Sequence, residues 1–261
     1  MTDTLRPRDA TDLAAVVEWA VGAGKTLEIV GQRSKRAIGR AAQWDLTLDL
    51  SGLTGVTLYE PEELVLSARA GTPLAEIDAL IGGKGQELAF EPMDCGPVFG
   101  AAPSKGTLGG VLAANMSGPR RIKAGAARDH FLGVSAVSGR GEAFKAGGRV
   151  VKNVTGYDLC KVLAGSWGTL AAMTDVTVKV LPRAETEQTL LAFGLDDRTA
   201  VRAMAAALGS PADVSGAAHI PAGAAAQVTG AAGAGRAVTA LRLEGVAPAI
   251  PPRRGMLEAL L

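Results

Sequence analysis

Between Lys152 and Thr169 the chain reads KNVTGYDLCKVLAGSWGT, and no other stretch limits the possible folds as tightly. A lysine and a polar turn lead to a Tyr157-Asp158 pair that opens a helical segment with Leu159, Val162 and Leu163 on its apolar side. That segment ends in Gly165-Ser166-Trp167-Gly168-Thr169, which feeds a strand. Glycines on both sides of Ser166 and Trp167 allow backbone conformations closed to other residues and a close approach to a neighbour. Two readings of the turn stand: a backbone lying against a buried ligand, or a helix C-cap followed by a tight turn.

The remainder must be globular. With 261 residues, 48% hydrophobic and 20% charged, the chain can form one large or two ordinary domains. Its 27 basic and 26 acidic residues leave a net charge of +1, so no field draws nucleic acid or an anionic membrane. The 34 glycines are roughly twice the ~7% average and sit in short clusters, which demands many tight turns. Two cysteines, Cys95 and Cys160, give neither a disulfide framework nor a metal-ligand spacing. They read as small core residues in a reducing compartment. The start, MTDTLRPRDATD, has no apolar leader, and no run reaches the ~18 apolar residues of a membrane span. A cytoplasmic location without direct membrane insertion is expected. Two glycosylation triplets, Asn115-Met-Ser117 and Asn153-Val-Thr155, carry no meaning without a secretory signal.

Along the chain, Leu13, Val16, Val17, Ala20 and Val21 have helical spacing over residues 9–24, with Asp9 or Thr11 as N-cap. A strand at 25–30 enters Gly31-Gln32-Arg33-Ser34-Lys35-Arg36. Such a loop can aim backbone N–H groups at a phosphate, or it is an ordinary basic surface turn. Gly24-Lys25-Thr26 imitates the end of a P-loop, but Trp19 stands where that motif needs its first glycine. Three alternating runs between 46 and 71 predict a β meander. Thr72 is expected to cap a helix with Pro73 at its first position, and residues 87–90 to form a strand.

From Pro92 to Gly118 glycine and polar residues are densest. Thr107 opens a short helix whose free N–H groups would suit an anion. Gly109 and Gly110, each costing about 1 kcal/mol relative to alanine, imply that a ligand or a backbone lies against them. Simple helix–strand packing is the alternative. Residues 132–147 read as a hairpin, and a long strand runs to Pro182. His130 beside Asp129 is either a general base or a structural hydrogen-bonding residue.

These segments, taken in order as GQRS, SKGTLGG with the following Asn115 and Ser117-Gly118, ARDHFLGV and KNVTGYDLCKVLAGSWGTLA, resemble the FAD-binding domain of the vanillyl-alcohol oxidase or PCMH type. Within that family the chain is most similar to FAD-binding subunits of bacterial glycolate oxidase. The resemblance covers residues 1–182 and implies an α+β fold of two subdomains. It implies that Gly31, Gln32, Arg33, Ser34 and Lys35 bind the FAD pyrophosphate. Thr107, Gly109, Gly110, Asn115, Ser117 and Gly118 would wall the cofactor, which Arg128 and Asp129 would cross. Lys152, Tyr157, Asp158, Gly165, Ser166, Gly168 and Thr169 would close the site. Relatives with covalent FAD often carry a histidine in the first loop. Ser34 and Lys35 stand there, which implies non-covalent FAD. Where many relatives have Tyr-Gly, this chain has Lys123-Ala124-Gly125, one aromatic fewer near the flavin.

Residues 183–261 are expected to begin an α+β cap domain, short or truncated, with strands at 186–193, 213–220 and 237–243 and helices at 197–208 and 253–261. Gly223 to Gly235 reads as a flexible linker. No metal site is expected, and no catalytic residue is assigned: the only histidines are His130 and His219, the only tyrosines Tyr59 and Tyr157. Two functions remain open. One is an electron-relaying or scaffolding flavoprotein subunit of a glycolate oxidase complex, beside a catalytic flavin subunit and an iron–sulfur subunit, with a small 2-hydroxy acid as substrate of the complex. Any membrane association would then come through partners. The other is a self-sufficient dehydrogenase of a hydroxy acid such as D-lactate, or of an alditol.

Overall fold

A computed structural model describes residues 3–100, 102–104, 106–149, 156–230 and 235–261. Chain packing gives two compact units, one of Met1–Ser117 with Ala126–Pro182, the other of Gly118–Gly125 with Arg183–Leu261.

In the first unit, strand β1 (Asp3–Leu5) leads to helix α1 (Ala10–Gly22), capped by the Asp9 carboxylate, which accepts from the N–H groups of Thr11 and Asp12 at 2.9 Å. Strands β2 (Leu27–Val30) and β3 (Leu46–Asp49) follow, and both β1 and β2 pair with β3 in parallel. Leu13 and Val17 of α1 pack on Leu48, Leu50 and Leu53. This overturns the meander. Alternation predicts a strand and its faces but not its partner, and β3, central in a parallel trio, shares no sheet with β4 (Val56–Glu60) and β5 (Val65–Arg69).

Helix α2 (Leu74–Gly82) buries Ile77 and Ile81. Its cap is Pro73, because the Thr72 hydroxyl donates to the Arg69 carbonyl at 2.7 Å and accepts from the Gly55 N–H at 3.0 Å, which commits it to the preceding turn. The expected strand at 87–90 shrinks to β6 (Gln86–Glu87), since Leu88, Ala89 and Phe90 turn into the core instead of extending a ladder.

Helix α3 (Leu108–Ala114) is capped by Thr107, whose Oγ1 accepts from the Gly110 N–H at 3.2 Å. A Cβ on Gly109 would lie 2.8 Å from the Ala70 carbonyl oxygen, so a backbone is what Gly109 admits. After α4 (Arg121–Ala124) and α5 (Ala127–His130), β7 (Phe131–Ser138) and β8 (Ala143–Gly147) form the hairpin. Helix α6 (Leu159–Leu163) precedes β9 (Ala171–Lys179), and β10 (Leu181–Pro182) pairs with β6. The antiparallel sheet runs β4-β5-β9-β7-β8, with Ile77, Leu108, Leu112 and Leu163 of the helices packed into the core on it.

Both cysteines are free and buried. Burial, aided by the Asp158 charge, pushes the Cys160 thiol up to about 11, where it is inert as a nucleophile.

The second unit has β11 (Thr186–Phe193), α7 (Asp197–Leu208), β12 (Gly216–Ile220), α8 (Ala222–Ala225), β13 (Val238–Gly245) and α9 (Ile250–Leu260). Its antiparallel sheet, ordered β11-β13-β12, packs Leu241 and Leu243 against α7 and α9 through Ala207, Ile250 and Leu257. Helix α9 starts three residues before the expected 253, because Pro251 and Pro252 fit a first helical turn, where no N–H is needed. The first residues of the expected linker belong to α8, with Ala225 buried beside Val238. Arg120 and Lys123 anchor the Gly118–Gly125 segment in this unit through Glu244 and Asp213.

Candidate functional site

The first unit contains a cavity of about 480 Å³, within the usual range for small-molecule sites. It is lined by β2, the loop that leaves it, the start of α3 and the turn Trp167–Thr169. Strand β2 delivers the chain to Gly31, where a Cβ would come within 2.7 Å of Thr107 Oγ1. Loop and helix cap therefore meet without a side chain between them. Arg33 takes a left-handed backbone, φ 62°, and its guanidinium lies 3.5 Å from Asp49.

The lining is cationic. Arg33, Lys35, Arg36 and Arg40 contribute four positive charges against the single carboxylate of Glu28. Arg36 pairs with Glu28 at 2.9 Å and lies 5.3 Å over the Trp44 ring. Ser34 is buried, and its Oγ receives the Lys35 ammonium at 3.4 Å. Burial holds the Lys35 amine below its ordinary value, opposed by charge on Cys95 and Asp94. Asp94 in turn is held below the usual carboxylate range by N–H groups of Ser104 and Gly96, at 2.6 and 3.0 Å. Gln32 Oε1 is buried without a hydrogen-bond partner, a costly state that a ligand donor would relieve.

Ten of the residues expected at the site line this cavity: Gly31, Gln32, Arg33, Ser34, Lys35, Thr107, Gly109, Gly110, Gly168 and Thr169. A second group knits the end of α3 to α5. Asn115, left-handed at φ 50°, accepts from the Arg128 N–H at 2.9 Å. Ser117 Oγ accepts from the Ala127 N–H at 2.9 Å, and Asp129 accepts from the Ala126 N–H at 2.8 Å. Gly165 bonds the Leu112 carbonyl, and the Ser166 carbonyl accepts the Thr169 hydroxyl. Asp158 caps α6, and Tyr157 is 89% exposed. Gly118 falls in the second unit, and Lys152 lies outside the described residues.

Sequence reasoning named Arg36 only as the end of the first loop and missed Arg40, Gln43, Trp44, Ala113 and Trp167 as cavity residues. Trp167 was marked by its place between flagged neighbours. Trp44 sits in an irregular segment with no periodicity to mark it. His130 is fully buried, with Nδ1 3.3 Å from the Lys179 carbonyl and its ring 5.3 Å from Phe90, which is the structural role. His219 lies in the second unit between Thr239 Oγ1 at 2.9 Å and Asp197.

A cationic, glycine-walled cavity suits a phosphorylated ligand, and residues 4–147 match the family of FAD binding domains. The chain belongs to that family. It is 41% identical over 167 residues to the glycolate oxidase subunit GlcE of Escherichia coli K12, covering 64% of this chain and 45% of that protein. To the glycolate oxidase subunit GlcD of Bacillus subtilis it is 41% identical over 87 residues, 33% of this chain and 18% of that one. To a D-lactate dehydrogenase of Archaeoglobus fulgidus it is 35% identical over 152 residues, 55% and 34% of the two. The chain thus spans less than half the length of these proteins. Among solved structures, alkyldihydroxyacetonephosphate synthase superposes with a TM-score of 0.74 at 16% identity, over 98% of this chain and 49% of that one. The PCMH-type fold expected from the motifs is borne out. No helix among the described residues is long and apolar enough to cross a membrane.

Proposed function

We propose that the chain is the FAD-binding subunit of a glycolate oxidase (glycolate dehydrogenase) complex, and that its FAD is held non-covalently in the first-unit cavity. The observation that carries this reading is the 41% identity to the GlcE subunit over 167 residues, a span of 64% of the chain. The cavity supports the cofactor: the loop Gly31–Lys35 and the Thr107 cap would hold a diphosphate by backbone approach and by the charges of Arg33 and Lys35. No histidine lines that cavity, in keeping with non-covalent attachment. Bound FAD would supply hydride and electron transfer, while the protein supplies position, electrostatics and access.

Oxidation of glycolate to glyoxylate would occur in the complex, with a catalytic flavin subunit and an iron–sulfur subunit as partners, in the cytoplasm. A catalytic base for a hydroxy acid would have to reach the hydroxyl. His130 is buried on a backbone carbonyl and the Tyr59 hydroxyl is engaged by Gln86 at 2.8 Å, which favours a relay or scaffold role. Site residues beyond the cavity, Asn115, Ser117, Asp129 and Gly165, would shape the wall without donating to the ligand.

Anaerobic addition of glycolate or D-lactate to the purified flavin-loaded chain tests the division of labour. Absorption of the oxidised flavin is expected to persist until the partner subunits are added. Bleaching by either acid with the chain alone would favour the self-sufficient dehydrogenase, the reading to which the D-lactate dehydrogenase relative points.

A further inference from the structure

We propose that Trp167 is a ligand-contacting residue whose indole packs against an aromatic ring of the bound dinucleotide. This rests on FAD occupying the cavity. Trp167 lines the cavity and is 45% exposed. Its backbone is left-handed, φ 55°, where a bulky aromatic is an outlier. Strained conformations of this kind persist only when the surroundings over-determine them, and they cluster at ligand sites.

The surroundings here do so. The Trp167 N–H donates to the Ala113 carbonyl at 2.9 Å, and the Gly165 N–H to the Leu112 carbonyl at 3.3 Å. On the other side Gly168 lies against β2, where a Cβ would be 3.3 Å from the Ile29 Cβ. A glycine at position 167 would make the same backbone bond without strain, so the turn itself does not require an indole. Nor does the core, because Trp167 belongs to neither buried apolar cluster of this unit. What the residue does line is the cavity, and nearly half of its surface is open. A flat, polarisable side chain suits stacking on a heteroaromatic ring, which typically accounts for roughly 10- to 100-fold in affinity.

Titration of flavin-stripped protein with FAD, FMN and ADP tests this in wild type, Trp167→Phe and Trp167→Gly. Trp167→Gly is expected to bind FAD at least tenfold more weakly while its cofactor-free form melts no lower than wild type, since the glycine relieves the left-handed backbone. Trp167→Phe is expected to stay within about threefold, because it keeps a ring. Weakening of FMN but not ADP places the contact on the isoalloxazine, and weakening of ADP but not FMN places it on the adenine. Unchanged FAD affinity in Trp167→Gly, or a melting temperature that falls together with affinity, would overturn the proposal. A wild-type protein that takes up no FAD would overturn the cofactor reading itself, and this one with it.

Discussion

Two groups of polar residues in the same glycine-rich half of the chain end in opposite states. Around the loop Gly31–Lys35, Gln32 Oε1 has no partner, and the Lys35 ammonium makes a long 3.4 Å hydrogen bond to Ser34 with the charge of Asp94 nearby. Around the α3–α5 junction, Asn115, Ser117 and Asp129 each accept a backbone N–H at 2.8 to 2.9 Å. The first group has hydrogen-bonding capacity to offer a ligand, and the second has committed its own to holding the chain. Residues of both groups carry the family resemblance equally well, so similarity alone does not separate binding from scaffolding. What separates them is where each polar atom finds its partner.

The sharpest break of this contrast is Gly31→Val. Its new side chain would enter the 2.7 Å approach to Thr107 Oγ1, and a loss of at least about 100-fold in FAD affinity is expected by equilibrium titration. An affinity within threefold of wild type would mean that the loop does not hold the cofactor. Next is Lys35→Met, expected to cost about tenfold by removing a partly desolvated charge from a diphosphate. The pH dependence has a definite sign. The Lys35 pKa is depressed by burial in the free protein, and a bound anion raises it again. Affinity is therefore full below the free-protein pKa and declines as pH rises through the interval up to the bound pKa. In Lys35→Met that alkaline decline should vanish.

Scaffold substitutions should move a different observable. Asp129→Ala and Asn115→Ala remove caps, and about 1 kcal/mol of stability each is expected from urea unfolding, somewhat more for Asn115 because alanine tolerates its left-handed backbone poorly. FAD affinity measured on the folded variants should change less than threefold. A larger loss would erase the distinction between the two groups. The smallest effect is expected for Gln32→Ala, a few-fold in affinity. Its cofactor-free form should be no less stable than wild type, since a buried oxygen without a partner is removed.

Much of the fold was legible. The helix at 10–22 announced itself by period and by a cap candidate at Asp9, the helix at 197–208 by its alanine-rich run, and the hairpin by two strands around a glycine turn. Partner choice was not legible. The run at 46–49 alternates like its neighbours, yet it joins β1 and β2 because pairing depends on where distant strands lie. Thr72 looked like a cap because it precedes proline, but its hydroxyl found nearer carbonyl and amide partners. At the site, glycines and the first loop could be read because their constraints are local. Trp44 and its contact with Arg36 could not, since ring and guanidinium stand eight positions apart in irregular chain.

The central claim is a flavin held non-covalently in the first-unit cavity. The visible spectrum of the purified chain, recorded before and after acid precipitation, tests it most directly. The account predicts flavin bands that pass entirely into the supernatant. A yellow pellet would contradict non-covalent binding, and a colourless protein that takes up no added FAD would contradict the cofactor itself.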